Sequence, residues 1–395
     1  MEKRTDRTIA ICAVAAVTVI PTVLLVMVKT GGPHIPFTSG PGPAAAVAAE
    51  RTPGAGASPT VSPSASRGTG ARPSVLGGAT PRNQPTGKAA SPATSYRAAD
   101  DGAVITAVKK AGARAFDLTV RSPALGSSQR VRVLVPASWR TASTRTWPVV
   151  YAFHGGRDGY ASWTRSSDIA AVAAGYDTMV VMPEGSNGSY TDWYNYGRGG
   201  TPKWETFHTL EVRQLVERNF HAGGSRAAIG LSSGAQGAIT YAARHPGMFA
   251  YAASYSGVLS MLQAGIPSLL MYTNSSNGSD PYAIWGDPVV DEANWKAHDP
   301  ASLLPKLRGV KVYVSSGNGQ PGPFDAPDKA AWDIGYLSET QVYRTTQDFV
   351  AKAQELGIPV TADFYGNGSH SWPYWKRELH ANWPAIMSTI GAAKT

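Results

Sequence analysis

A serine flanked by glycines is the residue of this chain best suited to nucleophilic chemistry. The only G-x-S-x-G motif is Gly230-Leu231-Ser232-Ser233-Gly234. It follows the apolar run A-A-I at 227–229 and precedes the small residues A-Q-G-A at 235–238. A strand that turns directly into a helix needs small residues beside the nucleophile, because the two elements approach closely there. The motif therefore predicts that Ser232 is exposed on a tight strand-to-helix turn, where its hydroxyl could attack a carbonyl carbon.

A serine hydroxyl becomes a good nucleophile only when a neighbouring base takes its proton. The chain has eight histidines. One of them, His370, lies in G-N-G-S-H-S-W at 366–372, directly after the last predicted strand. Ligands of open α/β sheets bind beyond the carboxyl ends of the strands. His370 is therefore the predicted base.

The base must be oriented by an acid, which is expected between Ser232 and His370 in the order serine, acid, histidine. Four carboxylates follow the predicted strand at 311–315, namely Asp325, Asp328, Asp333 and Glu339. The residue pattern alone leaves all four open and favours those nearest the strand.

Two backbone N–H groups are needed to stabilise the oxyanion that forms during attack on an ester. Ser233, the residue after the nucleophile, is expected to supply one. The turn H-G-G-R at 154–157 follows a buried apolar run and is expected to supply the other. The role favoured for His154 is to orient this turn, without taking a proton from the substrate.

The elements that must position these residues alternate between β-branched runs and helical stretches. Strands are predicted at 116–121, 130–136, 148–153, 178–182, 227–231, 251–256, 311–315 and 359–364. Helices are predicted at, among other places, 209–218, 236–244 and 340–356. Several strands are continuously apolar, which is typical of strands buried on both faces of a parallel sheet. The pattern predicts a mostly parallel, doubly wound α/β domain.

The chain divides into four predicted segments. A cytoplasmic tail at 1–8 precedes an uncharged apolar run at 9–28, which is long enough to cross a bilayer. The tail carries more positive charge than the residues that follow the apolar run, so we expect the tail to stay in the cytoplasm and the rest of the chain to lie outside the cell. One transmembrane helix would then anchor the protein. The alternative is that the run is a cleaved signal peptide and the protein is secreted. A Pro-, Gly-, Ala- and Ser-rich linker at 29–98 is expected to be disordered. The catalytic domain is predicted at 99–395.

Charge and cysteine content exclude several classes of function. The net charge is +9, but the first 98 residues carry ten Lys and Arg against three acidic residues, and the remainder carries 26 against 24. The excess therefore belongs to the N-terminal segments and does not indicate a nucleic-acid-binding domain. The single cysteine, Cys12, excludes intramolecular disulfides, cysteine zinc sites and iron–sulfur clusters. No metal or cofactor is expected.

Further motifs make the domain recognisable from about residue 115 to 390. They are M-P-E-G at 182–185, T-D-W-Y at 191–194, K-W-E-T-F at 203–207, A-A-I-G-L-S at 227–232, W-G-D at 285–287, H-D-P at 298–300, P-K-L at 305–307, S-G-N-G at 316–319 and G-N-G-S-H-S-W-P-Y-W at 366–375. With these motifs the chain resembles the mycolyltransferases of the antigen 85 complex and the wider esterase D-type branch of the α/β-hydrolases. The resemblance implies an α/β-hydrolase fold and acyl transfer through a serine.

The resemblance also implies roles for individual residues. It matches Ser232 to the nucleophile and His370 to the base, and it selects Glu339 as the acid from the four candidates. The implied oxyanion-hole residues are Gly156 and Ser233. Residues matching those that line the family's sugar and acyl site are Arg157, Ser371 and Trp372.

The chain departs from the antigen 85 pattern at three places. The family's D-G-L-R turn is H-G-G-R here, its second acidic position is Ser260, and its disulfide loop is replaced by residues 196–201. The expected function is a serine acyltransferase or esterase that takes acyl ester donors, with a sugar, a glycerolipid or water as acceptor. The alternatives are a purely hydrolytic carboxylesterase and a surface adhesion or binding module.

Overall fold

The computed structural model describes residues 96–330 and 332–395. The predicted tail at 1–8 and the predicted anchor at 9–28 lie outside the described residues, as does most of the predicted linker at 29–98. Within the two described ranges, no helix is both long and apolar enough to cross a membrane. The described residues therefore correspond to the predicted catalytic domain and the end of the linker.

A nine-stranded mixed sheet is the frame of the domain. Its strands are β1 (Val104–Gly112), β2 (Ala115–Ser122), β3 (Ser127–Leu134), β4 (Trp147–Phe153), β5 (Met179–Pro183), β6 (Ala222–Leu231), β7 (Tyr251–Tyr255), β8 (Lys311–Ser316) and β9 (Val360–Phe364). Their order across the sheet is β1-β2-β3-β5-β4-β6-β7-β8-β9. The first three strands and the β3–β5 pair are antiparallel, whereas all pairs from β5 to β9 are parallel. The carboxyl ends of β4, β6, β7, β8 and β9 consequently meet at one edge.

Helices cover both faces of this sheet. They are α1 (Ser162–Ser166), α2 (Ile169–Ala174), α3 (Trp204–Thr206), α4 (Arg213–Phe220), α5 (Ser233–Arg244), α6 (Ile266–Ser276), α7 (Pro281–Trp285), α8 (Glu292–Lys296), α9 (Ile334–Glu355) and α10 (Trp372–Ile390). A π-helical segment, Phe207–Val212, joins α3 to α4. The core contacts place α4, α5 and α9 on one face of the sheet and α1, α2 and α10 on the other.

Strand β4 shows why the sheet is buried on both faces. Its side chains alternate between two apolar clusters: Val149, Tyr151 and Phe153 belong to one cluster, and Val150 and Ala152 belong to the other. All five are at most 2% exposed. Alternate side chains of a strand point to opposite faces, so a continuously apolar strand is stable only when helices cover both sides. The predicted doubly wound architecture is confirmed.

The segment between β7 and β8 covers the carboxyl edge of the sheet. It contains α6, α7 and α8 and has a small apolar core of its own, built from Met261, Ile284, Trp285 and Trp295. Helix α6 lies between two glycines with positive φ, Gly265 at 86° and Gly278 at 81°. This segment forms a roof over the edge at which the predicted site residues are expected.

The sequence predicted eight of the nine strands, each to within a few residues except β6, which begins five residues earlier than expected. Strand β1 was not predicted. It is an edge strand, and most of its side chains, including Lys109 and Lys110, are exposed. An edge strand with solvated lysines lacks the apolar signal of a buried strand.

Candidate active site

The turn that carries Ser232 has the geometry that the glycine motif predicts. Ser232 follows β6, caps α5 and has φ 53° and ψ −123°, a conformation that is unfavourable for a residue with a side chain. A Cβ on Gly230 would lie 2.1 Å from the carbonyl oxygen of Gly234, and a Cβ on Gly234 would lie 2.4 Å from that of His154. Both glycines are therefore required by close backbone approach, as the sequence suggested.

The structure brings the predicted base to this turn. The Oγ of Ser232 lies 2.8 Å from Nε2 of His370, and Nδ1 of His370 lies 2.7 Å from Oε2 of Glu339. A carboxylate can only accept, so Nδ1 carries the proton that is donated to Glu339. The Nε2 lone pair is then left to accept the hydroxyl proton of Ser232, which is the arrangement that activates a nucleophile.

Glu339 is buried, and its second carboxylate oxygen is held by three further donors. Oε1 accepts hydrogen bonds from Oγ of Ser256 at 2.8 Å, from the backbone N–H of Gly317 at 2.8 Å and from the hydroxyl of Tyr365 at 3.2 Å. These donors come from the ends of β7, β8 and β9. The carboxylate is thereby fixed in position before any substrate arrives.

The other three acidic candidates lie elsewhere. Asp325 accepts hydrogen bonds from Ser369, from the backbone N–H of Gly322 and from the hydroxyl of Tyr374, and it also contacts Lys329. Asp333 caps α9 through the N–H of Gly335, and Asp328 is exposed. Of the four carboxylates, the structure places Glu339 against His370.

The predicted oxyanion turn packs backbone to backbone against the nucleophile turn. A Cβ on Gly155 would lie 2.8 Å from Cδ1 of Leu231 and 3.2 Å from Cβ of Ser232, so a larger residue there would displace the Leu231 side chain. Within the described part of the chain, the N–H groups of Gly156 and Ser233 have no protein acceptor, and both residues line the same cavity as Ser232. Two unpaired donors beside a nucleophile are what an oxyanion hole needs.

His154 lies behind this turn. It is 1% exposed, its Nδ1 donates to the carbonyl oxygen of Gly155 at 2.7 Å, and its Nε2 accepts from the N–H of Gly185 at 2.8 Å. Nε2 also lies 3.3 Å from Oε1 of Glu184. Glu184 accepts the backbone N–H of Ser186 at 2.8 Å and that of Tyr160 at 3.1 Å. The contacts of His154 are those of a residue that orients the turn.

A cavity of about 270 Å³ opens above Ser232 and His370. One part of its lining is apolar and comes from the roof segment, α9 and the loop after β7: Val258, Leu269, Leu270, Trp285, Ile334, Leu337 and Val342. Another part is polar and contains Arg157 with three asparagines, Asn187, Asn274 and Asn277. The cavity can therefore accommodate an acyl chain and a polar group at the same nucleophile.

Two residues that were predicted to line the substrate site lie outside this cavity. Trp372 is 6% exposed and packs edge to face against Trp163 and Trp375 in the core. Ser371 caps α10, and its hydroxyl lies 3.2 Å from that of Ser369. Neither residue lines this cavity, and Trp372 packs in the apolar core on one face of the sheet, so the role of both in substrate binding stays a prediction.

The three asparagines of the cavity were not predicted from the sequence. Asn187 lies in the loop after β5, and Asn274 and Asn277 lie at the end of α6. Their spacing of three residues places Asn274 and Asn277 on one side of that helix end, but no motif connects them with Asn187.

The doubly wound sheet, the strained serine turn and the serine–histidine–carboxylate chain define the class of serine hydrolases with an α/β-hydrolase fold. Residues 122–386 match the family model described as "Putative esterase", and the chain belongs to that esterase family. It is a serine-dependent acyltransferase or ester hydrolase.

Curated relatives and solved structures agree with this assignment. The chain is 30% identical over 307 residues to the diacylglycerol acyltransferase/mycolyltransferase Ag85C of Mycobacterium leprae, covering 74% of this chain and 87% of that protein. It is 33% identical over 258 residues to the Ag85B protein of Mycobacterium intracellulare, covering 62% and 76%. The crystal structure of Mycobacterium tuberculosis MPT51 (FbpC1) matches with 27% identity and a TM-score of 0.56, covering 68% of this chain and 96% of that one. The predicted antigen 85-like family is confirmed.

Proposed function

We propose that this protein transfers acyl groups through a covalent intermediate on Ser232. The observation that carries the proposal is the continuous hydrogen-bond chain from Ser232 through His370 to Glu339, which opens into a cavity with an apolar wall. The hydroxyl of Ser232 attacks the ester carbonyl, and Nε2 of His370 takes its proton. The buried carboxylate of Glu339 stabilises the imidazolium that forms.

The remaining steps use the same groups. The N–H groups of Gly156 and Ser233 stabilise the oxyanion of the tetrahedral intermediate. His370 then returns its proton to the departing alcohol, which leaves an acyl group on Ser232. An incoming hydroxyl, from water or from an alcohol, loses its proton to His370 and attacks the acyl-enzyme, which releases the product and restores the serine.

The proposed substrates are lipid or sugar esters at the cell surface. The apolar wall formed by residues such as Leu269, Leu270 and Leu337 suits an acyl chain. The named relatives are diacylglycerol acyltransferases and mycolyltransferases, which supports a sugar or a glycerolipid as acceptor. Arg157 lines the cavity and is proposed to contact the substrate.

Plain hydrolysis is the second candidate. Where the antigen 85 turn carries an aspartate near the sugar acceptor, this chain has the buried His154, whose ring is engaged within the turn. Without that carboxylate, a sugar hydroxyl loses one partner, and water becomes the better competitor for the acyl-enzyme.

The proposed location is outside the cell. We propose that residues 99–395 form the catalytic domain, that residues 29–98 form a flexible linker and that residues 9–28 anchor the protein to the membrane, with 1–8 in the cytoplasm. The alternative is a secreted protein that has lost this N-terminal segment. The mature N-terminus, read by mass spectrometry, distinguishes the two.

The experiment measures turnover of 4-nitrophenyl esters of graded chain length, with and without sugar and glycerolipid acceptors, together with labelling by a fluorophosphonate. We expect Ser232→Ala to lose both labelling and turnover, the latter by a factor on the order of 10⁴–10⁶. Ser388→Ala, on the exposed side of α10, is the matched control and should retain both. Labelling that persists in Ser232→Ala would exclude this serine as the nucleophile, and absence of turnover in the unaltered protein would favour a binding module.

A further inference from the structure

A buried serine holds the loop that carries His370. Ser369 directly precedes the base and is 0% exposed. Its Oγ is hydrogen-bonded to a carboxylate oxygen of Asp325 and lies 2.9 Å from Nζ of Lys329. A carboxylate can only accept and an ammonium can only donate, so the hydroxyl of Ser369 donates to Asp325 and accepts from Lys329. The residue before the base is therefore fixed by two charged partners of opposite sign.

The ammonium of Lys329 has partners on several sides. Three oxygens lie within 3.4 Å of Nζ, as many as the ammonium has protons: Oγ of Ser369 at 2.9 Å, Oδ1 of Asp325 at 3.2 Å and Oδ1 of Asp333 at 3.4 Å. Nζ also lies 4.5 Å from the centre of the aromatic ring of Tyr336, whose face attracts a cation. The Lys329 side chain is 19% exposed, so water screens these contacts less than those of a surface lysine.

Through these contacts Lys329 connects the segment that carries the acid with the segment that carries the base. Lys329 belongs to the loop between β8 and α9. Tyr336 lies in the first turn of α9, and Glu339 follows it on the same helix. Ser369 belongs to the loop between β9 and α10 and is followed by His370. The ammonium therefore links two segments whose relative position determines whether the acid reaches the base.

The position of the imidazole is demanding. Nε2 of His370 must lie 2.8 Å from Oγ of Ser232 while its Nδ1 lies 2.7 Å from Oε2 of Glu339. A displacement of about 1 Å can lower the rate of such a reaction about 100-fold. A backbone hydrogen bond of 3.0 Å, from the N–H of His370 to the carbonyl oxygen of Gly335, joins the loop to the start of α9. Because the chain can rotate about a single hydrogen bond, the second link, through Lys329, is needed to fix the orientation of the loop.

We infer that Lys329 is a positioning residue for the acyl transfer reaction. Its ammonium holds Ser369 against the start of α9, which keeps the imidazole of His370 within reach of the nucleophile and the acid. Lys329 is not among the residues that line the cavity, so it acts on the proton transfers and not on the binding of the ester. This role rests on the proposed function, because it needs His370 to be the base.

The test measures kcat and KM separately for hydrolysis of 4-nitrophenyl butyrate. Lys329→Met removes the ammonium and keeps an unbranched side chain. We expect kcat to fall about tenfold to 100-fold and KM to change less than about twofold, because His370 serves acylation and deacylation alike. Lys329→Arg keeps a cationic donor and should retain more turnover than Lys329→Met. Lys352→Met is the matched control: it removes a lysine–aspartate contact of 2.8 Å farther along α9 and should leave both constants unchanged.

Ser369→Ala shows whether Lys329 acts through the loop of the base. The change removes the oxygen that Lys329 contacts and leaves the ion pairs with Asp325 and Asp333, so this variant carries the test even if Lys329→Met does not fold. Ser369→Ala alone should lower kcat about tenfold with KM little changed. In the Ser369→Ala protein, adding Lys329→Met should lower kcat less than about twofold further, whereas independent effects would multiply. Thermal unfolding shows which variants are folded at the assay temperature.

Three results would overturn the positioning role of Lys329. They are a normal kcat in folded Lys329→Met or in Ser369→Ala, a rise in KM with kcat unchanged, and a full further loss of kcat when Lys329→Met is added to Ser369→Ala. In each of these cases Ser232-dependent turnover by the unaltered protein would leave the proposed function intact. Absence of Ser232-dependent turnover would contradict the proposed function, and the role of Lys329 with it.

Discussion

Replacing Glu339 by glutamine tests the proposed acid in a way that the structure makes quantitative. The change is nearly isosteric and leaves one oxygen and one NH₂ group in place of two oxygens. The oxygen must occupy the position of Oε1, because the donors of Ser256, Gly317 and Tyr365 all point there. Reversing the amide would set its NH₂ group against the N–H of Gly317, which can only donate, and leaving that buried donor unpaired costs about 1–3 kcal/mol, so the reversed orientation is disfavoured roughly tenfold or more.

The NH₂ group of the variant therefore faces His370. Two donors cannot share a hydrogen bond, so the imidazole must move its proton from Nδ1 to Nε2 in order to accept there. Nε2 then can no longer take the proton of Ser232. We expect kcat to fall by a factor on the order of 10³–10⁴, less than the loss on removing Ser232 or His370.

The assay is steady-state hydrolysis of 4-nitrophenyl butyrate, with thermal unfolding to show that the variant is folded. Asp325→Asn is the matched control, because Asp325 is also a carboxylate of this region but contacts Ser369 and Tyr374 and not His370. Turnover of Glu339→Gln within tenfold of the unaltered protein, together with collapse of turnover in Asp325→Asn, would refute the reasoning and identify Asp325 as the acid.

Three further predictions concern folding and stability. Gly230→Ala should prevent folding or strongly lower Tm, because the added Cβ would lie 2.1 Å from a backbone oxygen. Gly224→Ala is the control and should change Tm little, because nothing lies within 4 Å of the added Cβ. Thermal unfolding of both variants tests this difference. Burial raises the pKa of Glu211 to about 7, so the free energy of unfolding should decrease as pH rises from about 4.5 to 7. Glu211→Gln, followed by urea unfolding across that range, should lack this slope; an identical slope would exclude Glu211 as its cause. Limited proteolysis should leave a stable fragment of about 30 kDa that begins near residue 96, since Arg97 is held by hydrogen bonds to Asn219; complete digestion would contradict an independently folded domain.

The sheet was largely predictable because its signal is local. Buried strands such as β4 and β5 are continuous apolar runs. The glycines at 230 and 234 indicate a turn at which backbone segments approach so closely that a side chain would not fit. The serine and the base were predictable for the same reason, since each directly follows a strand. The local sequence pattern could not identify which of the carboxylates after β8 orients His370.

That choice depends on long-range geometry. Glu339 reaches His370 because it lies on the second turn of α9 and is surrounded by donors from three different strand ends. The resemblance to the antigen 85 family selected Glu339, whereas the shorter distance along the chain from β8 favoured Asp325. In the structure, Asp325 accepts a hydrogen bond from Ser369. In the same way, Trp372 matched a substrate-site position by motif, but its side chain packs in the core. The asparagines of the polar wall come from two separate segments, so no local pattern could have indicated them.

The distance along the chain between the proposed nucleophile and base has a consequence for when activity can appear. Ser232 and His370 are 138 residues apart, and the loop that carries His370 follows the last strand of the sheet. During synthesis, the nucleophile turn emerges long before the strand that brings in its base. Contacts of such large sequence separation form late in folding. A nascent chain that lacks this strand therefore has no base beside Ser232, and the onset of turnover reports that the last strand has docked.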